Sequence, residues 1–177
     1  MKKIKDMSIG ELGALVCSHL EENGIRVTLT GGACVSIYTD NRYESMDLDF
    51  VEEMPVTRRK LKRALEEIGF TEKSRYFVHP DTEFFLEFPS GPLSVGEEPM
   101  GEIVELTFPT GRLRLISPTD CVKDRLAAFY HWNDRQSLEQ ALLVARDQEV
   151  DLLEVRNWSE REGELGKFES FFSALSK

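Results

Sequence analysis

A diglycine closing one apolar run and an Asp-x-Asp pair on the next constrain this chain more than any other feature. Leu29-Thr30-Gly31-Gly32 ends the first run, and Asp47-Leu48-Asp49-Phe50 follows with fourteen residues between Gly32 and Asp47. Paired glycines at a strand end make a backbone turn that can approach a phosphate closely, because no Cβ stands in the way. Carboxylates at i and i+2 of a strand point to one face of the sheet. Their Cα atoms then lie about 7 Å apart, from a rise of about 3.3 Å per residue. A phosphate cradle beside paired hard oxygen ligands suits Mg²⁺-dependent chemistry on a nucleotide.

Periodicity supplies the frame around this pair. Ser8-Ile9-Gly10-Glu11 has capping-box spacing, followed by Leu12, Leu15, Val16 and Leu20 at helical period and a stop at Asn23-Gly24. Ile25 to Thr30 reads as the first strand, Gly31-Gly32 opens a helix carrying Val35, Ile37 and Tyr38, and Met46 to Val51 reads as the second strand. Alternation sends Met46, Leu48 and Phe50 toward the core and both aspartates to the other face. A helix is predicted from Thr57 to Ile68, strands at Tyr76–Val78 and Glu83–Phe88, and a hairpin from Ile103–Phe108 and Leu113–Ile116. Ser117-Pro118-Thr119-Asp120 then has the form of a helix start. Helical period continues through Val122–Tyr130, Asp134–Ala145, Val150–Trp158 and Phe168–Leu175. The fold class expected is α+β: a mixed β-sheet core flanked by helices, over residues 1–116, with an all-helical extension over 117–177 packed on it.

A third carboxylate would complete a divalent-ion site. In Glu83-Phe84-Phe85-Leu86-Glu87-Phe88, Glu83 and Glu87 share a face, and Glu87 sits in the more apolar surroundings. A carboxylate there is costly to bury unless paired or metal-bound, so Glu87 is preferred over Glu83. Composition limits the rest. A net charge of −10 over 177 residues argues against broad attraction to DNA or RNA, though not against one local basic patch. Cys17, Cys34 and Cys121 form no C-x-x-C pair and read as small buried residues, not as a disulfide framework or zinc site. No signal peptide or membrane span is read, and the expected location is the cytoplasm.

Thr30-Gly31-Gly32, then Arg42-Tyr43-x-Ser45-x-Asp47-Leu48-Asp49-Phe50, then Glu87, resembles the nucleotidyltransferase fold of the DNA polymerase β superfamily. The likeness is greatest to its AbiEii-type and minimal nucleotidyltransferase branch. The segment from Ser117 to Ala128 looks like the helix that follows the core in that branch, where a basic residue faces the site; Lys123 or Arg125 takes that place here. The resemblance implies that Gly31 and Gly32 hold the triphosphate, and that Arg42, Ser45, Lys123 and Arg125 contact nucleotide. It also implies that Asp47, Asp49 and Glu87 bind two Mg²⁺ ions and serve catalysis. The implied donor is an NTP, ATP first, and the implied acceptor is a hydroxyl of RNA, a protein or a small molecule. A partner protein encoded nearby, as in toxin–antitoxin systems, follows from the same likeness. Ala33 stands after Gly32 where many relatives carry Ser or Thr, and the third carboxylate is Glu where Asp is common.

The alternative is a catalytically inactive nucleotide-binding or protein-interaction module of the same fold. Three further features have plain readings beside functional ones. Arg58, Arg59, Lys60, Lys62 and Arg63 form either a solvated helix face or a landing place for an RNA acceptor or nucleotide. His19, His79 and His131 lack ligand spacing and read as structural. Trp158, Phe168, Phe171 and Phe172 read as core or dimer packing, which leaves homo-oligomerisation open.

Overall fold

A computed structural model describes residues 1–177. The first helix forms where its cap is encoded: Ser8 accepts from the Glu11 backbone N–H and the Glu11 side chain accepts from the Ser8 N–H, opening α1 (Ile9–Glu22). Nine strands follow in two sheets. They are β1 (Val27–Thr30), β2 (Asp47–Glu52), β3 (Thr71–Lys73), β4 (Tyr76–Val78), β5 (Phe85–Glu87), β6 (Ser94–Val95), β7 (Glu98–Pro99), β8 (Ile103–Phe108) and β9 (Gly111–Ile116). Two helices interrupt them, α2 (Gly32–Tyr38) and α3 (Arg58–Glu66). Four more close the chain: α4 (Pro118–Trp132), α5 (Arg135–Asp147), α6 (Leu152–Arg161) and α7 (Leu165–Leu175).

The main sheet has seven strands in the order β3-β4-β5-β2-β1-β9-β8. It is mixed: β2 runs parallel to β5 and β1 parallel to β9, and the other neighbours are antiparallel. The class is α+β. Leu48 and Phe50 are fully buried, and Leu48 points at α1, where a Cβ on Gly13 would come within 3.4 Å of its Cδ2. A glycine there lets the helix lie close on the sheet. On the chain's later side, α2 packs against α4 and α5, and α6 and α7 complete the layer. One continuous apolar core joins Leu12, Leu29, Leu48, Phe77 and Leu86 to Leu126, Val144 and Trp158.

Several expectations need correction. Met46 is exposed, not in the core, because β2 begins only at Asp47. Glu83 lies outside β5, which is three residues long, so period-2 alternation never reaches it. The strand β3 and the two-residue ladder β6–β7 carry too few apolar residues to signal themselves in sequence. Trp158, Phe168 and Phe171 are core, while Phe172 is half exposed. No helix is long and apolar enough to cross a membrane.

The two faces of β2 should therefore respond differently to substitution. Leu48→Ala is expected to destabilise by about 2–5 kcal/mol, a fall of roughly 2–4 °C in melting temperature per kcal/mol. Asp47→Asn should leave the melting temperature nearly unchanged. Thermal unfolding followed by circular dichroism checks both, and a large fall for Asp47→Asn would overturn the assignment of faces.

Candidate active site

Register places the acidic side chains before any side-chain detail is needed. Thr30 of β1 is the partner of Asp49 on β2, Asp49 of Glu87 on β5, and Glu87 of Tyr76 on β4. Directly opposed residues project to one side, so one row of the open face reads Thr30, Asp49, Glu87, Tyr76. Asp47 stands two residues before Asp49, on the same side. One carboxylate oxygen from each of Asp47, Asp49 and Glu87 lies within 4.8 Å of the others.

The three are held differently. Ser45 Oγ donates to Asp47 Oδ1 at 3.1 Å, and the Ser45 N–H donates to Ser36 Oγ at 3.0 Å, which ties Asp47 to α2. Asp49 has no such support: its Oδ1 is buried without a hydrogen-bond partner. Thr30 Oγ1 donates to the Asp49 backbone carbonyl, not to its carboxylate. Burial first, then the charges of Asp47 and Glu87, push the Asp49 carboxyl up to about 7, with Arg125 pulling the other way. Glu87 has Arg75 Nε at 3.3 Å.

Gly31 faces this cluster from the strand end. Its φ of 71° is a conformation that L side chains avoid, and a Cβ there would stand 2.7 Å from Asp49 Oδ2. At Gly32 a Cβ would press on Tyr43 and Ser45. An orphaned buried oxygen, three like charges and a space that only glycine leaves open fit a hard cation with oxygen ligands. A cleft of about 730 Å³ opens at Ser45 and Met46, walled also by Glu83 and Phe84 and by Lys5 and Ile9; none of the three carboxylates lines it.

The remaining candidates are spread more widely. Arg42 is paired with Asp147 at the end of α5. Lys123 is buried against Glu154 at 2.9 Å, with Asp120 at 3.9 Å, on the flank of α4 facing α6. Arg125, two residues on, bonds Asp124 and Gln140, and its charge acts on Asp49. Of the two α4 cations, only Arg125 has a charge felt at Asp49, though its guanidinium is bonded to Asp124 and Gln140 and not to the acidic row. His19 Nε2 donates to the Ala64 carbonyl, and His79 meets Phe70 edge-on. Arg75 was invisible to sequence reasoning, because only the register of the β3–β4 turn brings it to Glu87.

Solved structures share this architecture. An antigenic nucleotidyltransferase-like protein from Paracoccidioides brasiliensis matches with a TM-score of 0.60 at 15% identity, over 90% of this chain and 91% of that one. The fold is the nucleotidyltransferase fold. The antibiotic-resistance factor ANT(2'')-Ia matches in its solution structure with a TM-score of 0.55 at 16% identity, covering 95% of this chain and 94% of that one. Its crystal structure in complex with adenylyl-2''-tobramycin matches at 0.52 and 16% identity, over 89% and 94%. No family model and no curated protein matches the sequence.

Two outcomes follow from the crowding at Asp49. A carboxyl raised in the folded state keeps its proton between its ordinary value and about 7, where the unfolded chain has lost it. Its contribution to stability therefore declines as pH rises through that window. In divalent-free buffer, the melting temperature of Asp49→Asn minus that of the parent should grow between pH 5 and pH 8, as measured by calorimetry. A constant difference would contradict the crowding. Gly31→Ala should abolish Mn²⁺ binding measured by calorimetry, through the Cβ contact with Asp49; unaltered binding would show that the space is not needed.

Proposed function

We propose that this protein is a Mg²⁺-dependent nucleotidyltransferase. It moves a nucleoside monophosphate from an NTP, ATP first, to a hydroxyl of RNA, a protein or a small molecule, and it acts beside a partner protein encoded near it. One observation carries the reading: the buried, unpartnered Asp49 oxygen, grouped with Asp47 and Glu87 opposite the Gly31 bend. Nucleotidyl transfer needs little covalent help from a protein and depends on positioning and charge neutralisation. Divalent ions held by Asp47, Asp49 and Glu87 would supply that neutralisation and lower the pKa of the acceptor hydroxyl.

The chain's own residues do the rest. Glycine at 31 lets bare backbone come close to the Asp49 carboxylate, where a Cβ would stand 2.7 Å from Oδ2, and leaves its N–H groups open to a phosphate. Ser45 fixes the Asp47 carboxylate by its hydroxyl, and the Arg125 charge, held on Asp124 and Gln140, acts on Asp49 from a distance. The cleft at Ser45 and Met46, the two residues before Asp47, is the space offered to an acceptor. A small-molecule acceptor gains support from ANT(2'')-Ia, whose crystal structure holds an adenylylated tobramycin on the same fold.

The test is transfer of label. Protein, Mg²⁺ and each α-³²P-labelled NTP are incubated with total RNA, with lysate protein and with a small-molecule extract. Label is expected in one acceptor fraction with the parent protein. It should fall by about three orders of magnitude in Asp47→Asn, the loss of several kcal/mol of charge stabilisation. If no NTP gives label while Mg²⁺-ATP still binds by calorimetry, the inactive nucleotide-binding module replaces this reading.

A further inference from the structure

The acidic row continues past Tyr76 to the sheet edge. Lys73 of β3 is the register partner of Tyr76, so the open face reads Thr30, Asp49, Glu87, Tyr76, Lys73 from β1 outward. Arg75, in the two-residue turn between β3 and β4, lies over the Tyr76 ring and donates to its hydroxyl at 2.6 Å. It reaches back to Glu87 at 3.3 Å. Both cations face solvent: Lys73 is exposed, and the Arg75 side chain is 71% exposed. The acid of β3, Glu72, does not neutralise them. Its register partner is the buried Phe77, which puts it on the opposite face, where Arg58 and Lys62 hold it at 2.9 and 3.7 Å. The row thus has bare backbone at its Gly31 end and two cations at the other.

This edge is positive in a chain that is not. From Arg58 to Tyr76 the sequence carries seven Lys and Arg against three Glu, within a net charge of −10. The cleft at Ser45 has the other sign, with Glu44, Asp81 and Glu83 in its wall against Lys5. A polyanion is therefore repelled by the cleft and drawn to the edge. In-line geometry points the same way, since attacking and leaving oxygens stand on opposite sides of the reacting phosphorus. With the triphosphate on the Gly31–Gly32 bend, pyrophosphate leaves on the β1 side. The acceptor oxygen then enters from the Glu87 end, where Lys73 and Arg75 stand.

We propose that the β3 edge is the acceptor site and that the acceptor is RNA, its phosphates held by Lys73 and Arg75 and a ribose hydroxyl presented at Glu87. The inference rests on the nucleotidyl-transfer reading above and selects one of its three acceptor classes. RNA fits because its ribose hydroxyls lie next to phosphates. A phosphate seated on Arg75 brings the neighbouring hydroxyl to the carboxylate that Arg75 already touches. A guanidinium fork and an ammonium both suit phosphate oxygens. An acidic protein surface matches the charge without that fixed spacing. In the transfer the ribose oxygen bonds to the α-phosphorus as the bond from that phosphorus to its bridging oxygen toward the β-phosphate breaks. The hydroxyl proton passes to solvent, and pyrophosphate leaves. Lys73 and Arg75 position the acceptor and take no part in bond making.

Binding is read first, without transfer, on the full chain in EDTA by fluorescence anisotropy of a labelled single-stranded oligoribonucleotide. The slope of log affinity against log salt should shrink by about 0.7 for each of Lys73→Ala and Arg75→Ala. Lys60→Ala, the same loss of charge on the far flank of α3 beside Gly24, should leave the slope as it is. With Mg²⁺ and α-³²P-labelled NTP, the double variant should raise KM for RNA about tenfold or more, with KM for the NTP moving far less. Cations that merely blunt the sheet edge would move neither reading. No RNA binding, an unchanged slope, an equal loss in Lys60→Ala or an unchanged KM for RNA overturns the inference. Label in lysate protein or in the small-molecule fraction, and not in RNA, overturns the RNA acceptor and leaves nucleotidyl transfer standing. No label in any fraction overturns both.

Discussion

Mutual repulsion among Asp47, Asp49 and Glu87 is the constraint around which the rest of this structure is arranged. Three carboxylates within 4.8 Å of one another, one with a buried unpartnered oxygen, are a local instability that packing elsewhere must overcome. The sheet supplies that packing. Leu48 lies between the two aspartates in sequence and on the opposite face in space, fully buried under α1. Leu86 does the same beside Glu87. Each acidic residue is thus flanked by the side chains that hold its strand in place, and the strain sits on a rigid element instead of a loop.

The surrounding polar groups sort by which acid they serve. Ser45 supports Asp47, Arg75 meets Glu87, and Asp49 is left with the distant help of Arg125. That asymmetry explains why burial and charge act most strongly on Asp49. It also explains why Gly31 is needed: the left-handed turn puts bare backbone where any side chain would close over the Asp49 oxygen. The basic helix α3 contributes through its hairpin contact, since Arg58 grips Glu72 and the Arg75 carbonyl. Its other cations remain on an exposed face.

What was legible in the sequence followed from local rules. The Ser8–Glu11 capping box and the Ser117-Pro118 start of α4 each act within four residues, so they can be read without knowing the fold. The i, i+2 spacing of Asp47 and Asp49, and a lone Glu87 in an apolar strand, showed where charge would gather. Illegible features depend on long-range pairing. Parallel alignment of β2 with β5 sets Asp49 opposite Glu87, and the two-residue β3–β4 turn delivers Arg75. Nor could spacing along α4 show that Lys123 is taken up elsewhere, because α6 supplies the Glu154 that claims it. Met46 misled for a related reason: alternation holds only inside the ladder, and the ladder starts one residue later.

The central claim is that these carboxylates are gathered to hold a metal ion. Anomalous difference density from crystals grown with Mn²⁺ at pH 8 tests it most directly. A peak coordinated by one oxygen from each of Asp47, Asp49 and Glu87 is expected. A featureless map there, with the three carboxylates turned away from one another, would contradict the account.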